Sequence, residues 1–319
     1  MTKQLITGIH HVTALGDDAQ QNIDFYAGIL GLRMVKKTIN FDAPDVYHLY
    51  YGNEQGSPGT IMTFFPYPGI GKGKHGKGQM TVTSFSAPDT SLDYWIKRLK
   101  KFNIKASEPQ QRFDDEVFIA FEDVHGLGLE LVFNKRDERP GFTYGQIPEA
   151  HAVKGFYGVV LSEEGYERTA GLLLEGMDHH LMAEKGNRFR YSASGKPGDI
   201  VDILCDPEKA RGIGGSGTIH HLAFATPDDA SQLEARERLL SKGFHVTPVL
   251  DRQYFHSIYF REPGGILFEI ATNPPGFAID EAPEHLGESL KLPPWVEHAR
   301  DKIENMLVTV ELNTDKFMD

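Results

Sequence analysis

The sequence predicts an α+β protein built from four βαβββ modules, which pair into two cup-shaped half-barrel domains. Three features predict this fold: a length of 319 residues, an internal repeat, and two His-His pairs at equivalent points of that repeat. The length suits two domains of about 150 residues each. Modules 1 and 4 carry the histidine pairs, so they are expected to form a metal-binding cup.

The repeat is clearest in the two segments that carry the histidines. Residues 8–14 read GIHHVTA and residues 218–224 read TIHHLAF, and both are typical of β-strands. Each strand is followed by a polar turn and an amphipathic helix, at 18–30 after the first and at 228–242 after the second. The matching order of elements indicates two copies of one module.

Two further copies lack the His-His pair. They open at residues 79–85 and 153–160, and the first of them continues into a helix at 92–102. The module ends also agree, since residues 263–270 (PGGILFEI) match residues 124–131 (VHGLGLEL), with a glutamate at the same place. The chain therefore holds four copies.

The repeat divides the chain into module 1 (1–76), module 2 with a linker (77–149), module 3 (150–215), module 4 (216–278) and a C-terminal tail with a helix (279–319). A single module is too small to bury the apolar face of its own sheet. We therefore expect the modules to pair, which gives two curved sheets of eight strands.

The composition limits the classes of partner. The formal net charge is −12 and the basic clusters are short, which argues against nucleic acid. No stretch approaches the roughly 18 apolar residues that span a bilayer, so no membrane segment is expected. The single cysteine, Cys205, excludes an internal disulfide and suits a reducing compartment, so we expect a cytoplasmic protein. A homodimer is permitted but not required.

Three residues are predicted to bind a metal ion: His11, His221 and Glu269. Adjacent strand residues point to opposite faces, so only one histidine of each pair can face cleanly into a cup. The second histidine is the better candidate, because the small Thr13 and Ala223 share its face and leave room for a ligand. Glu269 lies within an apolar strand, where an unpaired carboxylate would be costly and a metal ion would offset that cost.

A simpler explanation is that the pairs are ordinary strand histidines and that Glu269 faces solvent. Two matched pairs and a carboxylate on the end strand of a repeat favour the metal centre instead. Because His11 lies in module 1 and the other two ligands lie in module 4, these modules must share one cup. Modules 2 and 3 then form a cup without metal, in which Glu130 has a structural or surface role.

These motifs resemble the vicinal oxygen chelate superfamily, which includes glyoxalases, bleomycin resistance proteins and dioxygenases. The resemblance is closer to its ring-cleaving dioxygenases that open hydroquinones, and it covers nearly the whole chain. It rests on residues 8–13, on residues 25–32 (FYAGILGL), on residues 219–223 and on residues 251–269. In these relatives the second histidine of each pair and the glutamate bind Fe(II), which implies the same three ligands that the strand argument selects. Mn(II) accepts the same ligand set.

The resemblance also implies catalytic residues around the metal. It places Arg252 and Tyr259 beside the substrate, and His10, His220 and Thr13 close to the ligands. Proton transfer is assigned to His220 and Tyr259, and stabilisation of anionic oxygen to Arg252. Strand alternation sends His10 and His220 outward, so the implied arrangement requires a β-bulge or a strong twist.

The activity that the resemblance implies is that of an Fe(II)-dependent, extradiol-type ring-cleaving dioxygenase. Its substrates would be dioxygen and a small aromatic of the hydroquinone or catechol type. Triplet dioxygen reacts slowly with closed-shell phenols, so this reaction needs a redox-active metal, which zinc is not.

Two other functions share this fold. A glyoxalase-like isomerase or thiol transferase uses a non-redox metal and usually has another carboxylate ligand near the end of module 1. Residues 60–65 (TIMTFF) offer no carboxylate there, which counts against this alternative. A sequestering protein of the drug-resistance kind lacks the three ligands and is a short two-module chain, so it fits less well.

Overall fold

The strands form two curved sheets of eight strands each. The structure, a computed structural model, describes residues 3–113, 116–142 and 145–318. Strands β1 to β8 span Gly8–Gly16, Arg33–Asn40, Ala43–Gly52, Ile61–Pro66, Gln79–Pro88, Gln110–Arg112, Glu116–Glu122 and Gly128–Asn134. Strands β9 to β16 span Gly155–Glu163, His180–Lys185, Arg188–Ser192, Ile200–Cys205, Thr218–Thr226, Leu250–Asp251, Phe255–Arg261 and Leu267–Pro275.

The strand order shows which modules pair. The first sheet has the order β14-β15-β16-β13-β1-β4-β3-β2, and the second has the order β10-β11-β12-β9-β5-β8-β7-β6. At the centre of each sheet two module-opening strands pair antiparallel, β1 with β13 and β5 with β9. The predicted fold class is confirmed: modules 1 and 4 share one cup, and modules 2 and 3 share the other.

Each module carries a helix after its opening strand. Helices α1 to α5 span Ala19–Ile23, Leu92–Lys101, Glu167–Gly176, Asp229–Ser241 and Arg300–Met306, and α1 continues as a π-helical segment at Asp24–Ile29. Single 3₁₀ turns lie at Asp89–Ser91, Glu149–His151, Phe277–Ile279, Pro283–His285, Glu297–Ala299 and Asp315–Phe317. Asp18 and Asp228 cap α1 and α4, since each carboxylate accepts a hydrogen bond from a backbone N–H of the first turn. No helix within the described ranges is long and apolar enough to cross a membrane.

The main apolar core combines strand and helix residues. Val12 of β1 and Leu222 of β13 have no exposed surface and pack into one cluster with Trp95 of α2 and Leu239 of α4. This burial explains the alternation of apolar and polar residues in the opening strands. The apolar face of each strand goes to the core, which leaves the other face for the inside of the cup.

The C-terminal tail docks on the first cup through a buried ion pair. Lys36 of β2 is fully buried and donates to Asp280 at 2.6 Å and to Glu281 at 2.5 Å. The Tyr254 hydroxyl donates to Asp280 as well, at 2.9 Å. Phe277, just before these carboxylates, packs against the Tyr254 ring with 5.1 Å between ring centroids. The tail therefore closes one side of the cup formed by modules 1 and 4.

The second cup contains a buried cluster of charges formed by Arg112, Glu116, Glu130, Arg190 and Asp202, which we call the carboxylate–guanidinium cluster. Arg112 donates to both oxygens of Glu130, at 3.0 and 2.7 Å. Arg190 donates to both oxygens of Asp202, at 2.7 and 2.8 Å. Glu116 accepts from both arginines. Glu130 is thus buried and paired with a cation.

Two carboxyl groups meet between modules 3 and 4. Glu163 and Glu262 are both buried, each 2 % exposed. Glu262 accepts hydrogen bonds from Thr169 and from the backbone N–H groups of Gly264 and Ile266. The Oε1 atom of Glu163 has no such partner among the described residues. Burial and then the charge of Glu262 raise the pKa of Glu163 to about 8, so the folded protein holds a proton there at neutral pH.

We expect the Glu163→Gln variant to become more stable relative to the natural protein as the pH rises from about 4.5 to about 8, because only the natural protein loses unfolding free energy over this interval. The unfolded chain releases this proton near the ordinary pKa of 4.5, whereas the folded chain keeps it up to about 8. Stability of the natural protein therefore falls across this interval, and an amide removes the effect. Urea unfolding of both proteins at about pH 5 and about pH 8 measures the difference. An equal difference in unfolding free energy at both pH values would contradict the expectation.

Candidate metal centre and its cavity

The structure brings His11, His221 and Glu269 together inside the first cup. The two Nε2 atoms lie 3.1 Å apart, and the Oε2 atom of Glu269 lies 3.4 Å from that of His11 and 3.0 Å from that of His221. All three side chains are buried. Ligand atoms at about 2.1 Å from one ion and at right angles to each other lie about 3 Å apart, so this spacing fits a shared metal ion. Within the described ranges, no other group of histidine, cysteine and acidic side chains meets such a spacing.

Glu269 supplies an unsatisfied buried oxygen to this centre. Its side chain has no exposed surface, and its Oε1 atom accepts a hydrogen bond from the Ser257 hydroxyl. No hydrogen-bond donor among the described residues satisfies Oε2. Burial would raise the pKa of Glu269, but the attraction of His11 and His221 outweighs it and holds the pKa well below the ordinary value. A charged, unsatisfied oxygen between two imidazoles is what a metal ligand requires.

The two His-His pairs lie at bulges in the central strands. In the ladder between β1 and β13, the register shifts by one residue at His10 on β1 and at His220 on β13. A bulge places two residues opposite one, so it interrupts the alternation of faces. Simple alternation, which sends both residues outward, is therefore wrong here, and the bulge that the resemblance required is present. The side chain of His10 therefore lies beside that of His11, and the side chain of His220 lies beside that of His221.

Each bulged histidine contacts the candidate ligand that follows it. The Nδ1 atoms of His10 and His11 lie 2.9 Å apart, and those of His220 and His221 lie 2.8 Å apart. His10 is buried against the Phe255 ring, whereas His220 borders the cavity. The two repeat-equivalent histidines therefore have different surroundings, although they occupy the same place in their modules.

A cavity of about 370 Å³ opens beside the three candidate ligands. Arg252 and Tyr259, the two residues that the resemblance places beside the substrate, border this cavity. The Nε atom of Arg252 donates to the Tyr259 hydroxyl at 3.2 Å, and a second nitrogen lies 3.4 Å from a carboxylate oxygen of Asp42. Burial and then the charge of Glu269 raise the pKa of Tyr259, which keeps the phenol protonated at neutral pH.

A chain of hydrogen-bonded polar side chains connects three strands beside the cavity, which two of them, His48 and Tyr50, border. The hydroxyls of Thr13 and Thr63 lie 2.8 Å apart, and Thr63 lies 2.8 Å from Nε2 of His48. The Nδ1 atom of His48 lies 2.8 Å from the Tyr50 hydroxyl. Burial is the largest cause that holds the pKa of His48 well below its ordinary value, so its imidazole is neutral.

Two residues that are close in sequence to residues of the site lie outside the cavity. The Tyr47 hydroxyl donates to the backbone carbonyl of Val308, at 2.9 Å, and points away from the cavity. His256, three residues before Tyr259, lies 2.7 Å from a carboxylate oxygen of Asp229 on α4. Neither side chain borders the cavity.

Sequence reasoning missed several residues of the site. Ser257 is two residues before Tyr259 on β15, so strand alternation from Tyr259 could have found it. Thr63, Asn40 and Tyr67 belong to no motif, and their position depends on the pairing of β1, β4, β3 and β2. No signal in the sequence identifies them.

Two cups of paired βαβββ modules, one of them holding a His-His-Glu centre, define a protein of the vicinal oxygen chelate type. The profile of the Glyoxalase/Bleomycin resistance protein/Dioxygenase superfamily matches residues 8–131 and 143–270. The chain belongs to this superfamily.

Known relatives resemble the chain over nearly its full length. A candidate ring-cleaving dioxygenase of Bacillus subtilis, MhqO, is 47% identical over 305 residues, which cover 96% of this chain and 97% of that protein. The chlorohydroquinone/hydroquinone 1,2-dioxygenase of Sphingobium indicum is 34% identical over 308 residues, covering 93% of this chain and 95% of that protein. A crystal structure of a candidate dioxygenase from Bacillus subtilis superposes with a TM-score of 0.93 at 46% identity, covering 98% of this chain and 99% of that one.

Proposed function

We propose that this protein is a metal-dependent ring-cleaving dioxygenase that opens hydroquinone- or catechol-type aromatics with dioxygen. The observation that carries the proposal is a buried centre of two imidazoles and one carboxylate that opens onto a cavity with aromatic walls. Three ligands on one face of an ion leave positions for a phenolic oxygen and for dioxygen. The names of two relatives, a ring-cleaving dioxygenase and a hydroquinone dioxygenase, support the same class of reaction.

His11, His221 and Glu269 would hold the ion, which we propose is Fe(II), as in extradiol-type enzymes, with Mn(II) as the alternative. The unsatisfied Oε2 atom of Glu269 supports a resident cation at this point. An ion of this kind supplies the redox chemistry that allows dioxygen to react with a phenol. A reducing, cytoplasmic location would keep both the ion and Cys205 reduced. Formation of a homodimer stays a prediction.

The hydrogen bonds of the bulged histidines suggest separate roles for them. When Nε2 of a histidine binds metal, its Nδ1 carries the hydrogen and donates it, here to Nδ1 of the preceding histidine. His10 then carries its own hydrogen on Nε2 and donates it to the backbone of Thr272, so His10 positions His11. His220 borders the cavity instead, so its Nε2 hydrogen is available to a bound oxygen.

Tyr259 and Arg252 would act on the same bound oxygen. Because Arg252 donates to the Tyr259 oxygen, the Tyr259 hydroxyl acts as a donor, and an oxygen bound in the cavity would compete for its hydrogen with the Ser257 oxygen. The raised pKa of Tyr259 makes it a proton donor at neutral pH and not a base. The guanidinium of Arg252 lies behind it and stabilises negative charge on a phenolate or on reduced oxygen.

One observation disfavours a glyoxalase-like isomerase or thiol transferase. Glu269 pairs with Ala223, two residues after the ligand His221. The equivalent position in module 1 is Thr63, which pairs with Thr13, two residues after His11. A fourth, carboxylate ligand at this place would suit Lewis-acid chemistry, but a hydroxyl stands there.

The test is dioxygen consumption by protein that has been loaded with Fe(II) under anaerobic conditions. We expect uptake with a hydroquinone or a catechol and the appearance of a ring-opened chromophore. The His221→Ala variant should lose both signals, whereas the matched variant His256→Ala should keep them, because His256 lies outside the cavity. Stoichiometric iron without uptake on any phenol would refute the proposal and favour the isomerase alternative.

A further inference from the structure

The cavity carries a fixed hydrogen-bond donor on the wall formed by module 1. The Oδ1 atom of Asn40 accepts a hydrogen bond from the backbone N–H of Asp42 at 3.0 Å, which orients the amide. Its Nδ2 group donates to the Tyr67 hydroxyl oxygen at 2.8 Å. Because this oxygen accepts, the hydroxyl hydrogen of Tyr67 is left for another acceptor. Asn40 and Tyr67 both border the cavity, so that acceptor can be a group of the ligand.

Phe65, near the end of β4, lies beside both Tyr67 and two histidines that border the cavity. The Phe65 ring neighbours residues of both parts of the cavity: its centroid is 4.3 Å from that of His48, 5.7 Å from that of His220 and 6.4 Å from that of Tyr67. Tyr67 directly follows β4, two residues after Phe65, and both rings border the cavity. A flat aromatic molecule against Phe65 would therefore have His220 near one end and Tyr67 near the other.

We propose that Tyr67, oriented by Asn40, binds the second oxygen of a para-dihydroxy aromatic and so selects hydroquinones over catechols. This inference rests on the proposed function, which places the first oxygen at the metal end of the cavity. A hydroquinone carries its two oxygens at opposite ends of the ring, so the second oxygen projects toward Tyr67. In a catechol the two oxygens are adjacent, and both stay at the metal end.

The size of the effect follows from the partial exposure of Tyr67. Water satisfies its hydroxyl in the absence of ligand, so the bond to a substrate oxygen replaces a bond to water. A neutral hydrogen bond of this kind changes affinity by about three- to tenfold. Phe41 and Phe65 also border the cavity and offer no polar group for this contact.

The experiment measures binding without turnover. Protein loaded with Fe(II) is titrated with hydroquinone, catechol and phenol in the absence of dioxygen, and the dissociation constants are compared. The natural protein is expected to bind hydroquinone about three- to tenfold more tightly than phenol. The Tyr67→Phe variant should lose this preference, with little change in its affinity for phenol and catechol.

Two further variants separate recognition from a change in shape. In Asn40→Asp, a carboxylate oxygen faces Tyr67 and takes its hydrogen, so the preference for hydroquinone should fall although the tyrosine ring remains. In Tyr47→Phe, a hydroxyl that contacts Val308 outside the cavity is lost, and the preference should be unchanged.

Three results would overturn the inference: no binding of hydroquinone by the loaded natural protein, equal affinity for hydroquinone and phenol, or a Tyr67→Phe variant in which the ratio of the affinities for hydroquinone and catechol is unchanged. A preference that disappears in Tyr67→Phe and Asn40→Asp, in a protein that consumes no dioxygen, would support the role of Tyr67. The same result would refute the proposed dioxygenase reaction. Failure of the role of Tyr67 and failure of the proposed function can therefore be told apart.

Discussion

The Glu269→Gln variant is expected to bind Fe(II) on the order of 100-fold more weakly than the natural protein, or worse, and to consume no dioxygen. The amide keeps the shape of the side chain and can still accept a hydrogen bond from Ser257. It loses the negative charge that holds a cation between the two imidazoles, and its NH₂ group can face His11 and His221, where a lone pair is needed. Anaerobic titration with Fe(II) measures the affinity, and an oxygen electrode measures the activity.

The matched control is Glu130→Gln, the equivalent position of the second cup. Glu130 pairs with Ser84 on β5 as Glu269 pairs with Ala223 on β13. This control removes a buried negative charge at the same place of the repeat but far from the proposed ligands. Glu130→Gln protein that folds should bind Fe(II) with the same affinity as the natural protein. If Glu269→Gln and Glu130→Gln both bound Fe(II) as tightly as the natural protein, Glu269 would not be a metal ligand.

The Glu116→Gln variant is expected to lower the unfolding free energy by about 2 to 3 kcal/mol, because charge-assisted hydrogen bonds to one buried carboxylate are weakened while Arg112 keeps Glu130 and Arg190 keeps Asp202. Glu116 is 2 % exposed and accepts hydrogen bonds from Arg112, Arg190 and the Tyr157 hydroxyl. Its removal leaves two buried guanidinium groups with fewer negative partners. Urea unfolding measures the loss, and iron binding in the folded protein should be unaffected.

A suitable control for this prediction is Glu304→Gln. Glu304 forms an ion pair with Arg300 on the surface, 2.8 Å between the charged atoms, and both side chains are substantially exposed. Exposed pairs of this kind contribute about 1 kcal/mol or less. A loss in Glu116→Gln that is no larger than this would show that the carboxylate–guanidinium cluster contributes little to stability.

The sequence was sufficient to predict the fold because the four modules repeat one order of strands and helices. It was also sufficient to predict the pairing of modules, since His11 and His221 lie at opposite ends of the chain and must converge if they bind one ion. Alternation alone misplaced His10 and His220. A one-residue bulge leaves no trace in a hydrophobic pattern when both residues concerned are histidines.

Other features depend on contacts between strands that are distant in sequence. The contact of Thr13 with Thr63 follows from the register of β1 and β4, and nothing in either segment specifies that register. The carboxylate–guanidinium cluster was hidden for a related reason. Arg112 and Arg190 lie in polar segments that are typical of exposed strands, and their burial follows only from the curvature of the second sheet.

The pairing of the first and last modules has a consequence for biosynthesis. The two imidazoles of the proposed centre are 210 positions apart, so they meet only after more than two thirds of the polypeptide has left the ribosome. An ion bound by both would close a very long loop, whose entropy cost rises only slowly with its length. Nascent chains shorter than module 4 hold at most one of the three ligands. Binding of an ion by all three residues would therefore require that module 4 has been synthesised, and a chain that ends before module 4 has no such centre.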